Sequence, residues 1–344
     1  MTVPQAAPGY ENRWEFMRDT ARLIAEGGTL RDLYDAMLAV RDPDTREIDA
    51  SPQRMRWLAQ SWSQHPEFAC IRLAELFGEL KPEHDDDYSL AMIGALGGRW
   101  EQEIRLHLLR HDAQLRDELF WRVFEVEGGG EISLANIDKF SREDLNWHRT
   151  VVLLTNEGTL DRTRVLRSCL RALNRDFSAY RAGWFSRVYA ALTPTPVEAA
   201  ADQDLLRLSL GSGITATVSL AVAQLAAVHR AGMLEADAFV EVCGPALSGT
   251  KSAASITVRI LTALATHRSA PVDAIVEALS AALNHPHADV QRLTVLSLMK
   301  LGHEELVRAQ RDALSPAVAA ELLPTGSSPS PTASPERAPR RGAD

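Results

Sequence analysis

Cysteine is scarce in this chain. Cys70, Cys169 and Cys243 stand alone, odd in number and without any CxxC spacing, which excludes a disulfide framework and disfavours a cysteine-based zinc site. Aromatic residues make up only 6% of the sequence while Ala and Leu dominate its apolar set, a balance that suits close-packed helices better than a sandwich or barrel. No stretch alternates apolar and polar residues between hairpin turns, so no sheet is predicted. Runs of about 18 apolar residues are also missing, and Met1 to Asn12 has neither a basic nor an apolar leader segment; the expected location is a reducing cytoplasm. The chain has no GxSxG elbow, no Ser/His/Asp arrangement and no paired-carboxylate motif, so the expectation is a protein with no catalytic residue and no cofactor.

What remains is apolar and charged. Hydrophobic residues form 45% of the 344 positions, enough to fill the core of two domains or of one continuous array. Net charge is −9, unevenly spread. Residues 1 to 160 carry 18 Lys and Arg against 29 Asp and Glu, whereas 161 to 198 holds seven Arg against Asp161, Asp176 and Glu198. An acidic first half disfavours wrapping a phosphate backbone, because that binding needs protein cations to replace condensed counterions. Any nucleic-acid contact would have to be local.

Proline and glycine punctuate the chain into short helices. Residues 1 to 11 form a loose lead-in. A helix is predicted from Asn12 with Trp14, Met17, Ala21 and Ile24 on one face, ending at Gly27-Gly28. A second, capped by Thr29, sets Leu30, Leu33, Tyr34, Met37 and Leu38 on one stripe and stops at Asp42-Pro43. Ser51-Pro52 starts a third. After His65-Pro66, residues Ala69, Leu73, Leu76, Phe77 and Leu80 form a fresh stripe up to Lys81-Pro82.

From about 160 the pattern repeats. Leu173, Leu210, Leu247 and Leu283 each close a helical stretch, with separations of 37, 37 and 36. That period falls between the tetratricopeptide length of about 34 and the HEAT length of about 40. In the third copy, Phe239 to Leu247 is read as one helix leading into Ile256, Ile260, Leu261 and Leu264; in the last, Ile275 to Leu283 leads into Val290, Leu293, Val295 and Leu296. Helix pairs of this kind cannot bury their apolar faces alone and must stack on their neighbours. The predicted fold is therefore all-α, an α-solenoid of helical hairpins over 159–323 behind an acidic helical region at 12–158. The tail 324–344, rich in Pro, Ser and Arg, is expected to be disordered.

Four polar patterns are candidates for function. Arg164, Arg167, Arg171 and Arg175, spaced three, four and four apart, lie on one side of one helix, with Arg181 and Arg187 nearby. Arg forks onto carboxylate and phosphate, so the stripe reads either as a docking strip for an acidic protein surface or a phosphate backbone, or as a solvated helix face. Glu125, Glu127, Glu131 and Asp138 surround Gly128-Gly129-Gly130 and read as a linker with an acidic contact patch; the flanking acids exclude a phosphate loop. His107 and His111, four apart, form a two-residue metal pattern with His84 or Asp85-Asp86-Asp87 as remote partners, or else pack and bond to backbone or Asp112. Phe177, Tyr180, Trp184, Phe185 and Tyr189 read as a base-stacking set beside the arginines or, by helical spacing, mostly as core.

The segment Phe124-Glu125-Val126-Glu127-Gly128-Gly129-Gly130-Glu131, the segment from Arg175-Asp176-Phe177 to Arg181-Ala182-Gly183-Trp184-Phe185, and the repeats ending in Asp289-Val290-Gln291 together resemble an uncharacterised bacterial family of HEAT-like helical-repeat proteins over roughly residues 100 to 301. The resemblance implies a HEAT-like architecture and, from members encoded near SWIM zinc-finger proteins and MoxR-type ATPases, work inside a multiprotein assembly. It carries over no catalytic residue, and this chain is shorter than typical members. The expected function is thus a non-catalytic scaffold that binds another protein, with no membrane partner. The alternative is a HEAT-like nucleic-acid-binding module or DNA glycosylase using the arginines between 164 and 187.

Overall fold

The computed structural model describes residues 13–39, 47–60, 67–98, 102–126, 132–141 and 146–323, with backbone alone for 13–17. Every regular element among them is helical: twenty-one α-helices and short 3-10 turns, without a strand. The expected loose lead-in, the stops at Asp42-Pro43 and His65-Pro66, the triple glycine and the tail fall outside the described residues.

The first half follows its local signals. Helix α1 (Arg13–Ala25) ends before Gly27, whose φ of +86° is the left-handed conformation that glycine adopts without penalty. Thr29 and Asp32 then cap α2 (Leu30–Ala39) reciprocally: the Thr29 amide and hydroxyl donate to Asp32 Oδ2 at 2.8 and 2.7 Å, and the Asp32 amide returns to Thr29 Oγ1 at 3.2 Å. Leu33, Tyr34 and Met37 of the predicted stripe are buried. Pro52 opens α3 (Pro52–Gln60), where it forfeits no hydrogen bond.

Helix α4 (Glu67–Leu76) departs from the one-sided stripe. Phe68 through Ala74 are all buried, Arg72 among them, while Leu76 at its end is 37% exposed. The cause is position: α2 and α5 (Asp86–Ala95) both pack on α4, enclosing it. Helix α6 (Gln102–His111), α7 (Ala113–Asp117) and a 3-10 turn at Leu119–Phe124 lead to α8 (Leu134–Phe140) and α9 (Trp147–Asn156). Trp147 sits at the centre of this half. Its indole donates to the Ile93 carbonyl at 3.0 Å, Arg105 lies over its ring at 4.8 Å, and Phe120 stacks on it at 6.3 Å. Gly97 has to be glycine here, since an added Cβ would lie 2.7 Å from the Ile93 carbonyl oxygen and run into Ile137.

The second half is a succession of helix pairs. Its elements are α10 (Arg162–Leu173), α11 (Ala179–Ala191), α12 (Pro196–Ala201), α13 (Gln203–Ser209), α14 (Thr215–Arg230), α15 (Ala236–Val242), α16 (Gly244–Leu247), α17 (Lys251–His267), α18 (Val272–Ala281), α19 (Ala288–Lys300), α20 (Glu304–Ala309) and α21 (Pro316–Leu322). The long helices α11, α14, α17 and α19 pack one on the next in chain order, and so do α10, α13, α15 and α18. Two rows result. Leu173, Leu210, Leu247 and Leu283 all end first-row segments and are all buried. The stretch Phe239 to Leu247, predicted as one helix, is broken after Val242: Pro245 supplies no backbone N–H and sits in the first turn of α16, where none is needed. Helices α8 and α9 pack on α11, and α10 on the 3-10 turn, so the acidic half joins the first pair directly.

Candidate interaction surface

The arginine stripe splits into two kinds of residue. Arg164 lies over Trp121, its guanidinium carbon 4.0 Å from the ring centroid, and donates to the Asp117 carbonyl at 2.8 Å. Arg167 reaches across to the buried carboxylate of Asp202 at 2.5 Å. These two bind α10 to the elements on either side of it. Arg175 is 4.0 Å from Glu125, the limit of an ion pair. Arg171 and Arg187 are exposed and have no partner among the described residues. Arg181 lines a small cavity with Phe177, Trp184 and Phe185. Of the aromatic set, Phe177, Trp184, Phe185 and Tyr189 are core, and the 49% exposed Tyr180 donates its hydroxyl to the Ala135 carbonyl at 2.9 Å.

The acidic candidates do not share one environment. Glu127 and Glu131 lie outside the described residues, and Glu125 is the distant partner of Arg175 just noted. Asp138 turns inward. Its Oδ1 accepts from the Trp147 amide at 2.7 Å, and its Oδ2 accepts from the His148 amide at 2.9 Å and the Trp184 indole at 2.7 Å. The carboxylate thereby closes the N-terminus of α9, where unpaired amides and the helix dipole favour an anion. Burial pushes the Asp138 carboxyl above the ordinary range, while the three hydrogen bonds and Arg105 oppose that rise.

His107 and His111 do come together, their rings 4.6 Å apart. Both line a cleft of about 760 Å³ between the α1–α2 turn and α6, with Glu103, Arg110, Arg31 and Phe77. Burial pulls the His107 imidazole below its ordinary value, with the charges of His111 and Arg110 acting the same way against a hydrogen bond to the Thr29 backbone. The remote ligands stay remote: His84 pairs with Glu75 at 2.5 Å, and Asp85 caps α5 by accepting from the Tyr88 amide at 2.9 Å. Among the described residues no group of three His, Cys, Asp or Glu side chains is placed to hold a metal ion. Asp112 does not serve the histidines either. Its Oδ2 and Oδ1 take the fully buried Arg72 guanidinium at 2.6 and 2.9 Å, and Oδ1 caps α7 through the Leu115 amide at 3.0 Å. Burial alone would depress the Arg72 pKa, but Asp112, Tyr88 and Glu75 hold it above its ordinary value.

The polar residues that join successive pairs were not singled out by spacing. Asn174 donates to the Leu205 carbonyl at 3.1 Å. Gln203 accepts from the Glu235 amide at 3.0 Å, and Gln291 accepts from the Ser315 amide at 2.9 Å. An ion pair accompanies each step: Arg162 with Glu198, Arg207 with Glu235, Lys251 with Asp289, and Arg292 with Glu321. Nothing in the sequence marks them, because Asn174, Gln203 and Gln291 each stand beside charged residues as ordinary surface amides do.

Residues 99–254 match a family described as a domain of unknown function, DUF6493. The match is to an uncharacterised family, spans the 3-10 turn, α8, α9 and the first helix pairs, and covers less than half of the chain. No curated protein and no solved structure matches the chain. No helix among the described residues is long and apolar enough to cross a membrane.

Proposed function

We propose that the chain is a non-catalytic scaffold, an α-solenoid of HEAT-like hairpins that binds another protein within a bacterial multiprotein assembly. The observation that carries this reading is the chain-order packing of α11, α14, α17 and α19 beside α10, α13, α15 and α18. Serial stacking leaves each helix pair in contact only with its neighbours and so extends surface rather than enclosing a deep pocket. The internal commitments of Arg164, Arg167 and Asp138 weigh against the nucleic-acid and glycosylase alternative, which needs the stripe free to meet phosphate. Cys70, Cys169 and Cys243 are buried and form no disulfide with one another, which accords with a reducing cytoplasm as the place of action.

The test is chemical cross-linking in the native host followed by affinity capture and mapping of cross-linked peptides. A protein partner cross-linked repeatedly to sites within 159–323 is the expected result. Recovery of the chain alone, cross-linked to nothing but itself, overturns the scaffold reading.

A further inference from the structure

From α13 onward the two rows of helices present opposite charge to solvent, whereas α10, which opens the first row, has no Asp or Glu and leaves Arg171 unpartnered among the described residues. On the first row, Asp204, Asp237, Glu241, Asp273 and Glu277 are exposed and pair with no cation among the described residues. On the second row the sequences of α11, α14 and α17 contain no Asp or Glu, and α19 holds only Asp289, which is taken up by Lys251 and Arg292. One exposed cation per second-row helix has no partner among the described residues: Arg187 on α11, Arg230 on α14, Arg259 on α17 and Lys300 on α19.

The contrast with the rest of the molecule is specific. Arg162, Arg167 and Arg207 on the first row each hold a carboxylate of the same or the next pair, so guanidinium groups in this protein are ordinarily neutralised where a carboxylate is within reach. On the second row Asp289 serves Lys251 and Arg292, and no carboxylate among the described residues serves Arg187, Arg230, Arg259 or Lys300. Arg230 and Lys300 end their helices and there complement the helix dipole, but Arg187 and Arg259 lie inside α11 and α17, and none of the four gains from a carboxylate of this chain among the described residues; together they complement an anionic partner. Between the cations the outward positions are low, Ala216 and Ala223 on α14 and Ser252 on α17, and Leu296 on α19 is 49% exposed. Such a surface accepts carboxylates at intervals with apolar side chains between them.

We infer that the outward side of α11, α14, α17 and α19 is the docking face for an acidic polypeptide segment carrying interspersed apolar residues. The inference rests on the scaffold reading and adds to it the face and the chemistry of the occupant. A polypeptide is favoured over nucleic acid on two counts. Four cations spread over four helices are sparse against a duplex with one charge per about 1.7 Å of axis. Of the α11 aromatics that would stack on bases, Trp184, Phe185 and Tyr189 are buried in the core, and the exposed Tyr180 is held by its hydroxyl on the Ala135 carbonyl.

The test uses the full chain and fluorescence anisotropy with a labelled peptide of repeated Glu-Leu-Glu-Ala, its Lys-for-Glu counterpart, and single-stranded and duplex DNA, each at low and high salt. The acidic peptide is expected to bind and to weaken at high salt. Combined Arg187→Glu, Arg230→Glu and Arg259→Glu should cost about tenfold or more in affinity, and Gln at the same positions less. Because these side chains touch no partner, both variants should keep the parent's circular dichroism. Asp204→Lys, Glu241→Lys and Asp273→Lys together, on the other row, should leave binding unchanged or tighter. No binding by the parent, or equal binding by parent and second-row variants, overturns the inference. Duplex bound more tightly than the peptide, and released by the same substitutions, overturns the polypeptide occupant. If a cellular partner cross-links only to the first row, the scaffold reading survives and this face does not.

Discussion

Asp138 shows how a single side chain can be mistaken for surface. In the sequence it is one acid of four around a glycine linker, yet in the fold its two oxygens satisfy the first amides of α9 and the Trp184 indole. Asp138→Asn would turn an acceptor oxygen into an NH₂ donor facing N–H groups, leaving at least one of them unpaired. The expected loss is about 1–3 kcal/mol of stability, read by denaturant unfolding. Trp184→Phe in the Asp138→Asn background should cost less than it does in the parent, since the bond it removes is already compromised; additive losses would show that the indole contact carries no energy. Arg72 makes the same point in the other direction. A charge on a helix reads as solvent-facing, and only the enclosure of α4 by α2 and α5 makes Asp112 its required partner.

At the scale of elements, caps and breaks followed local chemistry closely, whereas junctions did not. Thr29 was legible as a cap, and Gly27 as part of a stop, because both act within a few residues of themselves. The capping box of α12 is equally local, with Thr195 and Glu198 exchanging hydrogen bonds, but Glu198 also receives Arg162 from the preceding pair. The Arg162 hydrogen bond, aided by Thr195 and opposed by burial, holds the Glu198 carboxyl down to about 2 from its ordinary 4.5. A depressed acid contributes stability above its unfolded value and loses it as pH falls through the folded one. Stability should therefore drop between pH about 4.5 and about 2 by about 1 kcal/mol, the partial exposure of both side chains limiting the amount. Arg162→Gln should erase most of that decrement in acid titrations followed by circular dichroism; an unchanged acid limb would mean that the pair contributes nothing.

The whole molecule behaves, on the scaffold reading, as a line of pairs rather than a ball. Truncation after Lys300 removes α20 and α21, whose buried Val307, Val318 and Ala319 cover the end of the core. Hydrogen exchange should rise in α19 and to a lesser degree in α17, while α4 through α9 keep their protection, because coupling in a stacked array passes between nearest neighbours. Uniform loss of protection along the chain would instead indicate one cooperative globule. The segregation of charge between the rows belongs to this scale too. Along the sequence, basic α14, α17 and α19 alternate with acidic α15 and α18, and which of them stand side by side is a matter of topology.

By itself the sequence determined the helical class, the Thr29 cap, the Gly27-Gly28 stop, the Ser51-Pro52 start and the four buried leucines that end first-row segments, since each depends on residues within a turn or two or on apolar periodicity. Only the tertiary structure decided that the exposed Arg164 and Arg167 are tied to neighbouring elements, that Asp138 and Arg72 face inward, and that Arg187, Arg230, Arg259 and Lys300 share a row whose helices hold one carboxylate, Asp289, already taken up by Lys251 and Arg292. The physical reason is range. Hydrophobic periodicity and capping act over neighbouring residues, whereas the partner of a charge is set by whatever the packing brings within about 4 Å of it, often 30 or more positions away.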